Sequence, residues 1–268
     1  MTALSTIDRW DVPTAAAAVF DADTVREEHG AVQEAFPLAS VSKVLAAVAV
    51  HVAVEEGSVG LDDPAGPEGS TVRHLLAHAS GLGPDGAVLE PPGRRRIYSN
   101  AGFEQLADHV TRATGMPFAD YCHLALVDAF GLADSEVSGS PAHGYRSSVR
   151  DQCTVLRAVV GGQLLAAETV DAMTTPAFPA LRGVLPGYGA QDPNPWGLGV
   201  EIRGDKSPHW TAPANSPRTW GHFGQSGTFV WYDPDAGMGL VVLTDRDFAQ
   251  WAIDAWPELT AAVLEDHR

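Results

Sequence analysis

Strand-type segments cluster at the two ends of this 268-residue chain, and the stretch between them reads as helix. Residues 14–20 and 24–29, joined across Asp21-Ala22-Asp23, have the pattern of a hairpin. Near the other end 197–202, 228–232 and 238–244 are strand-like, with Asp233-Pro234-Asp235-Ala236-Gly237 as the turn between the last two. From about 62 to 179 the pattern is helical (71–78, 101–114, 118–130, 149–160 and 167–174), broken by Gly and Pro. Val41, Val44, Leu45, Val48 and Val52 recur at helical spacing after the first hairpin, with Gly57 and Gly60 as the stop. A last helix spans 248–264, with a break expected at Pro257. Strands at both ends predict one antiparallel sheet built from N- and C-terminal strands, flanked by the 41–52 helix and the terminal helix. The expected class is therefore α/β (α+β) with an inserted all-helical lobe. We read 1–268 as a single domain, its sheet lobe at about 1–62 and 185–268 and its helical lobe at about 63–184. The cleft between lobes is the expected small-molecule site. Segments 65–70 and 205–218 are expected to be surface loops.

Charge narrows the partners. A formal net charge of −17 excludes the basic surface that nucleic acid or anionic membrane would need. With 45% hydrophobic residues the chain can bury a full core without disulfide or metal staples. Cys122 and Cys153 lack zinc-type or framework spacing and are expected to be buried thiols. The first apolar run, 15–20, is shorter than a signal-peptide core, and no stretch has the roughly 20 apolar residues of a membrane span, so the expected location is cytoplasmic.

Three short motifs carry the chemistry. Ser40 stands three residues before Lys43 in Ala39-Ser40-Val41-Ser42-Lys43, which places hydroxyl and amine on one helical face. Tyr98-Ser99-Asn100 opens a helix with the apolar stripe Phe103, Leu106, Ala107 and Val110. Gly221-His222-Phe223-Gly224-Gln225-Ser226-Gly227 leads into the strand at 228–232. Each has a bland reading: Ser40 as a helix cap, Tyr98 as a half-buried aromatic, His222 as a satisfied core histidine. Together they make a nucleophile, two candidate bases and a glycine-bordered strand edge.

The set is a variant of the Ser-x-x-Lys, Ser-Asp-Asn and Lys-Thr-Gly trio of class A β-lactamases and penicillin-binding proteins. With Tyr leading the second motif and His the third, the chain resembles the serine hydrolases that include class C β-lactamases, D-Ala-D-Ala carboxypeptidases and related esterases. Matching stretches also include 36–43, 71–82, 98–115 and Trp196 to Gly199. The resemblance implies that Ser40 attacks a carbonyl, with Lys43 or Tyr98 as the base. It implies an oxyanion hole from the backbone N–H of Ser40 and of Gln225, with Gly224 keeping the strand bare for substrate. It also implies substrate contacts from Asn100 and His222. Histidine in place of lysine at 222 points away from efficient β-lactam turnover and toward the carboxypeptidase and D-aminopeptidase branch. The expected function is a serine hydrolase forming an acyl-enzyme on Ser40 with small ester, amide, D-amino-acid or β-lactam substrates. The alternative is a slowly acylating penicillin-type binding or sensor protein. No cofactor is expected. His74 and His78, four apart on one expected helix face, lack a further ligand at metal spacing. Arg94-Arg95-Arg96 beside Tyr98 reads either as a solvated run or as an attractor for a carboxylate substrate.

Overall fold

The computed structural model describes residues 2–267. In chain order the strands are β1 (Ala15–Phe20), β2 (Val25–Gly30), β3 (Phe36–Pro37), β4 (Arg146–Ser147), β5 (Gly183–Leu185), β6 (Gly189–Gln191), β7 (Glu201–Ile202), β8 (Trp220–Gly224), β9 (Thr228–Asp233) and β10 (Met238–Thr244). The helices are α1 (Ser42–Glu55), α2 (Val72–Leu76), α3 (Asn100–Thr114), α4 (Phe118–Cys122, continuing as a π-helical turn), α5 (Val149–Val160), α6 (Ala167–Thr174) and α7 (Gln250–His267).

Six strands form one antiparallel sheet in the order β2-β1-β10-β9-β8-β7, so the two ends of the chain meet where β1 pairs β10. Both faces of that sheet are covered. Ala16, Ala18 and Phe20 of β1 and Val241 and Leu243 of β10 join the core around α1 and the helical segment, while Ala17, Val19, Leu240 and Val242 join a second core under α7. A strand buried on both faces reads as a continuous apolar run rather than an alternating one, which is why 15–20 and 238–244 are so uniformly hydrophobic. The edge strand β2, rich in charge, alternates between half-buried and exposed positions.

Several expectations need correction. The strand expected at 197–202 shrinks to Glu201–Ile202, because Gly199 takes a φ of +109° and passes α1 so closely that a Cβ there would lie 2.2 Å from the Cβ of Ala47. The terminal helix runs through Pro257 unbroken. Proline forfeits one helical hydrogen bond there, but Trp256, Leu259, Thr260, Val263 and Leu264 are buried and hold the helix down on the sheet. The helix expected at 71–78 stops at Leu76, and His78 is left-handed at φ +53°, so His74 and His78 do not share a helix face. Segment 205–218 is a loop with an exposed outer side, Asp205, Ser207, Pro208, Pro217 and Arg218 among it, but Lys206, His209, Trp210, Thr211 and Asn215 turn inside. Cys122 and Cys153 are free and buried. Among the described residues no helix is long and apolar enough to cross a membrane.

Candidate active site

Ser40 lies in a 3-10 turn, Ala39–Val41, that runs directly into α1 rather than on the helix itself. Ala39 is left-handed at φ +45°, a conformation that costs an alanine about 1 kcal/mol or more and persists only where surroundings over-determine it. The surroundings are specific. Ser226 Oγ donates to the Pro37 carbonyl at 2.6 Å and Thr228 Oγ1 to the Leu38 carbonyl at 2.9 Å, while the Leu38 N–H reaches the Tyr145 carbonyl at 2.9 Å. Strand β8 presses against the same turn. A Cβ on Gly224 would lie 2.4 Å from the Leu38 oxygen and 3.2 Å from the Ala39 Cβ, so the missing side chain at 224 makes room for the nucleophile turn itself.

One turn further on, Lys43 is fully buried on α1. Its Nζ donates to the Ala142 carbonyl at 2.6 Å and to Asn100 Oδ1 at 2.7 Å, and lies 3.4 Å from Ser40 Oγ. The ammonium also sits over the Tyr98 ring, 4.7 Å from its centroid. Burial pulls its pKa down to about 7, against a smaller upward pull from Glu104. A neutral amine keeps two N–H donors and one lone pair. The two short bonds take the donors, which leaves the lone pair for the Ser40 hydroxyl.

Tyr98 and Asn100 come from the loop that starts α3. Ser99 caps that helix, accepting from the Gly102 N–H at 3.0 Å, and its own hydroxyl donates to the Gly83 carbonyl at 2.8 Å. Arg96 anchors the loop from below. It is buried, and its guanidinium donates to the carbonyls of Ala77, Asn194, Ala177 and Phe178; burial lowers its pKa to about 9. Arg96 is thus neither solvated nor free to attract a substrate, whereas Arg94 and Arg95 are exposed. The Tyr98 ring is partly exposed while its hydroxyl is buried. Burial drives the phenol's pKa up, and the facing Ser40 side chain offsets only part of that. The hydroxyl faces Ser40 without a hydrogen bond of normal geometry and has no other partner.

His222 lies on β8 and is buried. Its Nδ1–H donates to the Phe223 carbonyl at 2.7 Å, which fixes the tautomer and leaves Nε2 a buried acceptor without a partner. Burial, aided by the Lys43 charge, lowers its pKa to about 3, so the ring is neutral. A cavity of about 140 Å³ is lined by Ser40, Tyr98, Trp196, Glu201, His222 and Gln225, closed by Leu185, Pro186 and Phe223. The backbone N–H groups of Ser40 and Gln225 make no hydrogen bond among the described residues, and both residues border this cavity. Two free N–H groups beside a nucleophile are what an oxyanion hole requires.

All seven residues expected from sequence surround this one place. Three contributors were not expected. The Ala142 carbonyl carries no sequence signal, because a backbone acceptor is available at any residue. Trp196, from a stretch singled out only for its resemblance, packs edge-on against His222 with ring centroids 5.4 Å apart. Glu201 lines the cavity and had a legible signal, a lone carboxylate in an apolar segment. Its Oε1 accepts from Lys206 Nζ at 2.6 Å and from His209 Nε2 at 3.0 Å, and its Oε2 accepts from Trp210 Nε1 at 2.6 Å. Burial would raise this carboxyl, but Lys206 foremost and then His209 hold it far below the usual range. That cluster draws segment 205–218 inward. His74 pairs with Thr71 and packs at a tilt on Phe178, and His78 packs on Tyr98 with ring centroids 4.7 Å apart. Among the described residues no group of three potential metal ligands occurs.

Comparisons with known proteins bear on the family and the fold. A β-lactamase from Mycobacterium bovis is 50% identical, with a TM-score of 0.97 over 99% of both chains. Simvastatin synthase from Aspergillus terreus, in a mutant form, shares the fold at a TM-score of 0.79 and 18% identity, over 98% of this chain and 93% of that one. Penicillin-binding protein 4* of Bacillus subtilis (strain 168) is 30% identical over 45% of this chain, and the match spans about a third of that relative's length, 36%. The beta-lactamase family model matches residues 6–264, and with the fold and motifs in place the chain belongs to the beta-lactamase family, whose hydrolase fold it has throughout.

Proposed function

We propose that this protein is a serine hydrolase that forms an acyl-enzyme on Ser40 from small ester or amide substrates. The observation that carries the reading is the position of Lys43: 3.4 Å from Ser40 Oγ, tied by short bonds to Asn100 and Ala142, with a pKa brought to about 7. About half of such an amine is neutral near pH 7 and able to take a proton. Tyr98, its phenol pKa raised by burial, stays protonated. Lys43 is therefore the base for Ser40, and Tyr98 the group placed to hand a proton to the leaving group.

In the acylation step the Ser40 proton moves to Lys43 Nζ as Oγ bonds the substrate carbonyl carbon. The oxyanion rests between the N–H groups of Ser40 and Gln225, and the fixed turn supplies that hole without reorganisation. The bond to the leaving group then breaks as that group takes a proton from Tyr98, which Lys43 replenishes. Water attacks the Ser40 ester in a second step and restores the hydroxyl.

His222 bears on substrate choice. It is neutral, so it offers no charge to the carboxylate of a β-lactam or a D-Ala-D-Ala peptide. Neutral esters and amides suit this site better, although the relative from Mycobacterium bovis is described as a β-lactamase and the one from Bacillus subtilis as a penicillin-binding protein. Labelling with a fluorescent penicillin and with an activated fluorescent ester tests the reading: the wild type should be labelled and Ser40→Ala should not. Equal labelling of both would remove Ser40 as nucleophile.

A further inference from the structure

The chamber at Ser40 is small. At about 140 Å³, and ~30 Å³ per water-sized group, it holds roughly four or five non-hydrogen atoms. A second cavity of about 480 Å³ lies beside it, lined by Pro84, Leu89, Glu90, Arg95, Arg96, Ile97, Tyr98, Val184 and Pro186. Tyr98 and Pro186 border both, so the two chambers share a wall at the reacting end. The second has the size of a ligand site, for which about 300–1,000 Å³ is usual.

Its lining is unusual for this surface. Among the described residues the exposed large apolar side chains are Val88, Leu89, Leu124 and Val184. Two of these, Leu89 at 58% exposure and Val184 at 48%, stand in the cavity wall, and Val88 is the neighbour of Leu89. They come from separate places, the loop before Tyr98 and strand β5, and so converge through the fold rather than through local sequence. Exposed apolar side chains gathered in a cavity that borders the candidate site mark a surface that a ligand's apolar group can cover.

We propose that this second cavity is a subsite for an extended apolar group of the substrate, so that the enzyme prefers esters joining a short group at Ser40 to a long or bulky hydrocarbon group beyond Tyr98. The inference rests on the acyl-enzyme reading and deepens it by naming the substrate class. The short group occupies the small chamber against Leu185, Trp196 and Phe223. The long group crosses Tyr98 and Pro186 and covers Leu89, Ile97 and Val184.

The test uses two ester series on the whole protein. In one, methyl esters carry acyl chains of increasing length; in the other, acetates carry alkyl alcohols of increasing length. In one series kcat/KM should climb with length, and the long-to-short ratio should fall about tenfold in Leu89→Asp and in Val184→Asp, the loss expected from half-burying one large side chain. Leu124→Asp, exposed elsewhere, is the control and should keep the wild-type ratio. Thermal melts establish that the variants are folded. A ratio that stays flat with length in both series, or that is unchanged in both cavity variants, overturns the subsite. If Ser40 is still labelled by an activated acetate in that case, only the subsite falls; if Ser40 is not labelled, the reading of the site itself fails.

Discussion

Lys43 and Lys206, the chain's two lysines, are both buried, and only Lys206 has a carboxylate beside it. Lys206 pairs with Glu201 at 2.6 Å and donates to the carbonyls of Pro195 and Ile202, so its charge is matched on the spot. Lys43 has only neutral acceptors within bonding distance, with Glu104 as a weak influence, and its pKa drops to about 7. One lysine is a structural cation and the other is the proposed base. The difference lies in the partners of each: Lys206 meets a carboxylate five residues away, whereas Lys43 meets the neutral oxygens of Asn100 and Ala142 from distant segments.

The pH dependence of acylation follows from Lys43. A depressed amine pKa means that the proton is absent above about 7, so kcat/KM for a neutral ester should be low in acid and rise through pH about 7 to a plateau. His222, neutral down to about 3, should add no step between pH 5 and 9. Stopped-flow acylation across that range checks this. A rise centred near 10 would mean that Lys43 keeps its ordinary pKa and is not the base.

Removing the Tyr98 hydroxyl isolates proton delivery. Tyr98→Phe keeps the ring that packs on His78 and loses the acid, so kcat for a poor leaving group such as an alkyl alcohol should fall by about 10²–10⁴. An activated nitrophenyl ester, which needs no proton on departure, should lose far less. Equal losses on both would assign Tyr98 to another step.

Glu201→Gln should be strongly destabilising, because it strands the Lys206 charge in a buried place. The expected cost is about 3–5 kcal/mol, a Tm lower by roughly 10 °C. The sign with pH is fixed by the carboxyl's depressed pKa. The wild type's advantage is complete above the ordinary carboxyl value of 4.5 and shrinks as pH falls below it. Thermal melts of both proteins from pH 3 to 8 measure it, and a constant gap would contradict the ion pair.

Gly224→Ala separates turn packing from substrate access. A methyl group 2.4 Å from the Leu38 carbonyl must displace the Ser40 turn, with a stability cost of about 1–3 kcal/mol. Acylation should slow for every ester regardless of size. Loss confined to bulky esters would mean that substrate, not the turn, uses the space.

Much of the site was legible in the chain because its chemistry needs rare residues at fixed spacings. Ser40 and Lys43 sit one turn apart, Tyr98 and Asn100 flank a helix cap, and Gly224 ends a strand. The apolar runs at 15–20 and 238–244 read as strands, and the structure shows them buried on both faces. What stayed hidden depends on contacts and backbone geometry that residue patterns do not carry. Arg96 looked like part of a solvated basic run, yet four carbonyls from separate segments enclose it. Segment 205–218 has the polar, proline-rich composition of a surface loop, and Glu201 pulls it inside. His78 fits a helical pattern that a left-handed backbone ends.

The central claim is a covalent bond to Ser40, and mass spectrometry reads it directly. The protein is quenched in acid during turnover of an activated ester, digested, and its peptides sequenced. The account predicts one added acyl group, on Ser40, present in the wild type and absent from Ser40→Ala. An acyl group on another residue, or turnover by Ser40→Ala at the wild-type rate, would contradict it.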